Sequence, residues 1–488
     1  MAATQPRRAG ARRAILISFV AVATAIATVT LGPVLSGQRS AELIGASTAT
    51  SSPAPSPSPW PSATPAVSAT ALAAATATAT PTPSPILAPT PIPPPSADPY
   101  ASTLPSAGPT VLPTIPAPTR TPIDYDLTYP TRLALQTRLD VLRERYAIPG
   151  ISVAIVMPNG STWLGVSGLA DVAADRPVTP STSFAIASIS KTFTAALIMA
   201  LVEEGKIKLD APVRRYLPGL KKVGSKILVS QLLDHTSGLR DYFFHASIDH
   251  ALLADPDRRW DARMALRYVG KAYFKPGAGW HYSNTNYLVL GLLAEAVGHE
   301  PLGKQIRTRF LAPLDLDRTW YQPAESTRKD AAHGYRFNSA ARDAKAIDLS
   351  DGSPIVPFTS VITAAGSAGG YASDARDLAL WVRALYGGQV LAPATVERMT
   401  DVTVTASKKA RVPYGLGVQV IDVDGRRTFG HSGRLLGFRS TVRYLPDEGV
   451  SIAVLTNQSR VDPAPILRSL LRVALTPDRT PCRCFDRP

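Results

Sequence analysis

Cysteine is almost missing from this chain: 488 residues hold two, Cys482 and Cys484, both in the tail "PCRCFDRP". The body of the fold therefore relies on no disulfide, and one Cys-x-Cys pair without further clustered ligands makes no metal site. A frayed tail or an intermolecular disulfide is the expected fate of the pair. No His-Glu-x-x-His or comparable cluster occurs, so neither a metal nor another cofactor is called for. Charged residues are sparse at 18%, and between Glu42 and Arg120 only Asp98 carries charge. The formal net charge of +15 raises the question of nucleic acid. Within the folded part of the chain, zinc-finger spacing, basic and aromatic interleaving and dense Lys/Arg blocks are all lacking, which argues against that class. Internal repeats are absent, and long apolar runs are absent with one exception.

The exception is N-terminal. In "MAATQPRRAGARRAILISFVAVATAIATVTLGPVLSG", Arg7, Arg8, Arg12 and Arg13 precede an apolar and small-residue run from Ala14 to Leu35. Residues 1–36 read as a signal peptide or an uncleaved signal anchor, because the run approaches the ~20 residues that span a bilayer. The arginines favour an N-inside orientation. The rest of the chain is then extracytoplasmic, either secreted or tied to the membrane by this segment. Residues 37–122 are dominated by Ala, Ser, Thr and Pro. They offer too few large apolar side chains to offset their ordering entropy, and their prolines favour extended conformations, so they read as a linker. A folded domain over 123–478 and a tail over 479–488 complete the organisation.

Within that domain, "LALQTRLDVLRERY" has helical spacing and "ISVAIVMPNGSTWLGVSG" reads as two strands around a Pro-Asn-Gly turn. A mainly helical stretch runs from Gly205 to about Pro357. Alternating strands follow, with Asp424-Gly425 and Glu448-Gly449 as turn signals, and "APILRSLLRVAL" ends the domain as an amphipathic helix. Strands at both ends around a helical insert predict an α+β fold. Its antiparallel sheet is built from both chain ends, flanked by helices, and sits beside a mainly helical subdomain. The cleft between those two parts is the natural place for a site.

Three stretches could carry chemistry there. In "FAIASISKTFTAALIMALVEEG", Ser188 and Lys191 lie three residues apart and share a helix face. A lysine among apolar neighbours loses solvation, its pKa falls, and it becomes able to take a proton from a hydroxyl. The alternative is an N-capping serine with a solvated lysine. "PGAGWHYSNTNYLVLG" puts Tyr282 and Asn284 in a turn ahead of a helix, as cleft groups or as a core aromatic and a cap. "TFGHSGRLLGF" puts His431, Ser432 and Gly433 at the end of a strand, where glycine permits close approach of a substrate. His431 reads alternatively as a satisfied surface histidine, and Arg434 as either a carboxylate fork or a surface arginine.

Ser-x-x-Lys, Tyr-x-Asn and His-x-Gly in this order resemble the penicillin-recognising serine hydrolases. Specifically, they resemble the group joining class C β-lactamases to secreted serine D-Ala-D-Ala carboxypeptidases. "LLDHTSGL" adds to the likeness, which extends over roughly Leu133 to Leu475. The resemblance implies Ser188 as acylated nucleophile and Lys191 as its proton partner. It implies Tyr282 as the acid or base serving the leaving group, and Asn284 as binding substrate amide or orienting Lys191. It further implies an oxyanion hole from the N–H groups of Ser188 and Arg434, with His431, Ser432, Gly433 and Arg434 on the substrate side. His235 is expected to be structural, at a helix end. Class C β-lactamases usually carry lysine where this chain has His431, which shifts the expectation toward carboxypeptidases and esterase-like relatives. A protonated His431 facing the cleft is then expected to support an anionic substrate. The implied partner is a cell-wall D-Ala-D-Ala peptide; the alternatives are a small ester, a β-lactam, a D-amino-acid amide, or a binding module without turnover.

Overall fold

The computed structural model describes residues 127–475 except 221–222, 326, 328–329, 340, 342–343 and 403–412. The expected signal segment, the linker and the tail with Cys482 and Cys484 lie outside the described residues. Among the described residues no helix is long and apolar enough to cross a membrane.

Helix α1 (Tyr129–Arg145) is capped by the Thr128 hydroxyl, which accepts from the Thr131 N–H. Strands β1 (Gly150–Val156) and β2 (Thr162–Asp171) form a hairpin. Gly160, at φ +85°, supplies the left-handed residue its turn requires. Two short strands, β3 (Arg176–Pro177) and β4 (Phe184–Ala185), lead into α2 (Ser190–Glu203). The helical insert follows as α3 (Val229–Leu233), α4 (Ile248–Ala254), α5 (Ala262–Leu266), α6 (Asn284–Gly298) and α7 (Leu302–Ile306). Next come β5 (Trp320–Tyr321), β6 (Tyr335–Phe337), β7 (Ala346–Asp348), α8 (Thr359–Gly369), β8 (Tyr371–Ser373), α9 (Ala375–Tyr386) and α10 (Pro393–Thr400). The domain closes with β9 (Gln419–Val423), β10 (Arg426–Leu435), β11 (Phe438–Leu445), β12 (Val450–Thr456) and α11 (Ala464–Ala474).

The main sheet runs β3-β2-β1-β12-β11-β10-β9 and is antiparallel throughout. β1 pairs with β12, from Ile151 opposite Thr456 to Val156 opposite Ser451, so the two ends of the domain meet in mid-sheet as the strand pattern predicts. Both strands are buried along their whole length, because both faces of the sheet are covered and a continuous apolar run is then favoured over alternation. Ile151, Val153, Ile155, Ile452 and Val454 pack with α1 and α11 on one face. Ala154, Ala453 and Leu455 join the larger core, shared with α2, α6 and α9, on the other. Asp424 and Gly425, at φ +55° and +80°, make the tight turn from β9 to β10 for which an Asp-Gly pair is suited.

α2 is the axis of that larger core. A helix apolar on nearly all sides must be enclosed, and this one is: Phe193 stacks between Tyr371 and Trp381 with ring centroids 4.9 and 4.3 Å away. Polar side chains then fix its rotation. Trp381 Nε1 donates to Thr192 Oγ1 at 2.9 Å, and Thr194 Oγ1 donates to the Ser367 carbonyl at 2.8 Å. Phe193→Ala is expected to cost about 3 to 5 kcal/mol of stability, the usual range for an emptied aromatic site. Urea unfolding of variant and wild type measures it, and a loss below about 1 kcal/mol would mean the stack contributes little.

Candidate active site

The chain enters α2 through a 3-10 turn over Ala187–Ile189. Ala187 sits at φ +51°, in the left-handed region, a conformation that costs a non-glycine residue on the order of 1 to 3 kcal/mol. Ser188 follows at once and stays partly exposed while Ala187 and Ile189 are buried. It opens on a cavity of about 620 Å³ that Tyr282, Asn284, Asp241 and Arg434 also line.

Lys191 is 0% exposed. Its Nζ contacts three oxygens: Ser188 Oγ at 3.1 Å, Asn284 Oδ1 at 2.8 Å and the Ala368 carbonyl at 2.7 Å. Burial pushes the amine down from 10.5 to about 7, against the opposing pull of Asp241. Two of the three partners can only accept. Ala368 offers a carbonyl, and Asn284 is oriented by Asp241, whose Oδ2 accepts from Asn284 Nδ2 at 2.7 Å and from the Asn284 N–H at 3.1 Å. Asn284 therefore turns its oxygen to the lysine. A neutral amine has two N–H bonds for those two acceptors, and its lone pair is left facing Ser188, the one partner able to donate.

The Ala368 carbonyl belongs to the last turn of α8, past a break in that helix. Gly366, at φ +46° and ψ −132°, leaves helical geometry inside the element. The following carbonyls, of Ser367 and Ala368, accept from Thr194 and Lys191 of α2.

Tyr282 is half-buried with its hydroxyl oxygen enclosed. Its ring lies 4.9 Å from Lys191 Nζ and 4.3 Å from the His235 ring. Burial raises its pKa well above 10, although Ser188, as a neighbour favouring the phenolate, pulls the other way. Among the described residues no partner meets full hydrogen-bond geometry with the hydroxyl. A neutral phenol at ordinary pH is able to donate a proton. His235 follows α3 at φ +66°, the helix-end position expected. Its Nδ1 accepts from the Ser283 N–H at 3.2 Å and lies 3.1 Å from Asn286 Nδ2, so it holds the turn that carries Tyr282 and Asn284.

The third motif differs from expectation in two ways. His431 is 1% exposed instead of facing the cleft. Tyr414 Oη lies 3.0 Å from Nε2 and the Ser432 carbonyl 2.6 Å from Nδ1, an arrangement that suits a neutral ring donating through Nδ1. Burial, then the charge of Lys191, push its pKa down to about 3, so an imidazolium that supports an anionic substrate is not available. Gly433 is needed for the protein's own backbone: a Cβ there would fall 2.2 Å from the Ile186 carbonyl oxygen and 2.2 Å from Ser440 Oγ. The glycine lets β10 close on the segment that carries Ser188. The Ser432 hydroxyl is turned to Gln419, 3.2 Å away.

β9 pairs with β10 only as far as Gly430. Beyond it, Gln419 Oε1 takes the Ser432 N–H at 3.0 Å. N–H groups alternate between the two edges of a strand, so the Arg434 N–H leaves from the same edge as that of Ser432. Among the described residues no strand lies beside it there.

Asp241, Tyr414 and the Ala368 carbonyl escape sequence reasoning. Asp241 stands in "SGLRDYF", just past the "LLDHTSGL" stretch, where an acid between Leu239 and Tyr242 hints at burial. The carbonyl has no side-chain signature at all. For a metal, the described residues offer one His/Asp group, Asp171, His333 and Asp348, with ligand atoms within 4.8 Å of one another. His333 commits both ring nitrogens to the carboxylates, at 2.7 Å to Asp348 and 3.5 Å to Asp171, which makes it an ion-pair clamp between β2 and β7.

Residues 135–475 match the family model for Beta-lactamase. The chain belongs to the beta-lactamase family. Family relatives include a D-aminopeptidase of Gluconobacter oxydans (strain 621H), 29% identical over 350 residues that span 71% of this chain and 63% of that protein. Penicillin-binding protein 4* of Bacillus subtilis (strain 168) is 28% identical over 336 residues, 67% of this chain and 72% of its own. Among solved structures, D-amino acid amidase from Ochrobactrum anthropi SV3, complexed with D-phenylalanine, gives a TM-score of 0.61 at 27% identity, over 72% of this chain and all of that one (100%). A D-stereospecific amidohydrolase from Streptomyces sp. gives 0.59 at 28%, over 72% and 98%. Family membership and the contact between Ser188 and Lys191 identify the chain as a serine hydrolase.

The neutral form of Lys191 grows as pH rises through about 7. Acylation of Ser188 by a small active ester is therefore expected to accelerate across that range. Asp241→Asn removes the charge that holds the lysine pKa up, so the acid limb moves to lower pH. Stopped-flow acylation against pH reads the limb, and an unmoved limb would assign it to a different group.

Proposed function

We propose that this chain is an extracytoplasmic acyl-enzyme hydrolase that cleaves peptides ending in D-alanyl-D-alanine. The observation that carries this reading is the enclosed Lys191 Nζ, its pKa lowered to about 7, standing 3.1 Å from Ser188 Oγ. Ser188 Oγ attacks the peptide carbonyl as Lys191 takes its proton. The developing oxyanion is received by the backbone N–H groups of Ser188 and Arg434, the latter on the free edge of β10. The scissile C–N bond breaks as Tyr282 gives its proton to the leaving nitrogen, and Lys191 returns the stored proton to Tyr282. Water then attacks the ester and Ser188 recovers its hydrogen. Arg434, whose Nε is buried with no partner among the described residues, is the group for the terminal carboxylate of the substrate. The basic N-terminal segment and the proline-rich stretch support export and, where the segment is retained, a membrane tether.

A second reading keeps the mechanism and changes the substrate to D-amino-acid amides. It is favoured by the likeness to a D-aminopeptidase and to a D-amino acid amidase.

Intact mass of the full chain after exposure to a penicillin separates the two. A persistent adduct on wild type and none on Ser188→Ala is the expected outcome, with turnover in that variant down by at least about a thousandfold. No adduct and no loss of drug, together with release of ammonia from D-phenylalaninamide, would replace the first reading by the second. Arg434→Ala is expected to lose peptide turnover while ester turnover persists; equal loss of both would remove Arg434 from carboxylate recognition.

A further inference from the structure

The cavity over Ser188 is lined by two carboxylates, and they differ in kind. Asp241 is fully engaged: Oδ1 accepts from the Phe243 N–H at 3.0 Å, and Oδ2 takes both Asn284 donors. Asp249, in the first turn of α4, has no ion pair and no side-chain hydrogen bond among the described residues. Phe243, Phe244, Leu252 and Val361 lie on the same lining, together with Tyr273, Trp280 and His281. Burial raises its pKa, with no neighbouring charge contributing. Asp249 is partly exposed, so water solvates it while the cavity is empty; a substrate that covers it displaces that water and has to replace it with a partner of its own.

We propose that Asp249 is the recognition group for a primary ammonium on the substrate, with Phe243, Phe244 and Leu252 receiving the hydrocarbon that carries it. The proposal rests on the acyl-enzyme reading and narrows its substrate class: the preferred peptide or amide is cationic beside an apolar stretch, and its N-acylated counterpart is disfavoured. Aromatic faces beside the carboxylate add attraction for an ammonium. A neutral counterpart that fills the cavity covers the partly exposed Asp249 without pairing it, which is how a polar pocket rejects a substrate that lacks the matching group. Such an ammonium has two sources, the α-amine of an N-terminal residue or the side-chain amine of a lysine-like residue farther along.

The test uses the full chain and two matched pairs near neutral pH. One pair is D-phenylalaninamide and N-acetyl-D-phenylalaninamide. The other is Nα-acetyl-L-lysyl-D-alanyl-D-alanine and its Nα,Nε-diacetyl counterpart. In one pair the charged member is expected to exceed its acetylated twin in kcat/KM by about tenfold, mostly through KM. The pair that shows the preference identifies the source of the ammonium. Asp249→Asn brings that ratio close to one, Asp249→Glu retains a preference, and Asp249→Lys inverts it toward a succinylated twin. A ratio that survives in Asp249→Asn, or wild-type turnover with no preference in either pair, overturns the ammonium site and leaves the hydrolase reading standing. No turnover of any of the four, with no penicillin adduct on Ser188, overturns the hydrolase reading and this inference with it.

Discussion

A buried ammonium group that must be held without water is the constraint on which the rest of this structure depends. Lys191 sits where no solvent reaches, so the fold has to supply its hydrogen-bond partners. It draws them from three separate parts of the chain: the head of α2, the first residue of α6 and the broken end of α8. None of these pieces is useful alone. Their convergence requires the helical insert to dock against α2 and the chain ends to close the sheet behind it. The pairing of β1 with β12 therefore serves the chemistry indirectly.

The same constraint accounts for the hierarchy of polar groups around the site. Asp241 touches neither Ser188 nor Lys191 by hydrogen bond, yet it decides which end of the Asn284 amide faces the lysine. Removing an ammonium from water favours its neutral form, and a nearby carboxylate favours its charged form. The balance leaves Lys191 titrating near neutrality, where a base is most useful. His431 experiences burial without an adjacent carboxylate and settles as a neutral ring.

Much of this was legible in the chain. Turn chemistry located the hairpins, because Asn-Gly and Asp-Gly pairs take up left-handed backbone that most residues avoid. The site groups Ser188, Lys191, Tyr282 and Asn284 were legible because each stands in a short local pattern next to a helix start. What stayed hidden depends on long-range packing. The burial of His431 follows from Tyr414, seventeen positions earlier. The two- and three-residue strands β4, β5 and β8 are too short to show a period of two. Backbone acceptors leave no trace in residue identity, so Ala368 could not be singled out. Gly433 was read as space for a substrate; in the fold that space is filled by the Ile186 carbonyl.

The break in α8 at Gly366 has a wider consequence. The last carbonyls of a helix have no partner within it, and past the break at Gly366 those of Ser367 and Ala368 are turned to what lies alongside. Here two of those oxygens stand in for the hydration shell that Lys191 and Thr194 would have in water. An interior defect in regular structure thus acts as an internal solvent with a fixed orientation. Because it cannot rearrange when the lysine changes charge, the protein pays little reorganisation as the proton moves. The partners of Lys191, and with them its contact to Ser188, are thereby tied to the break in a helix that places no titratable side chain in the site.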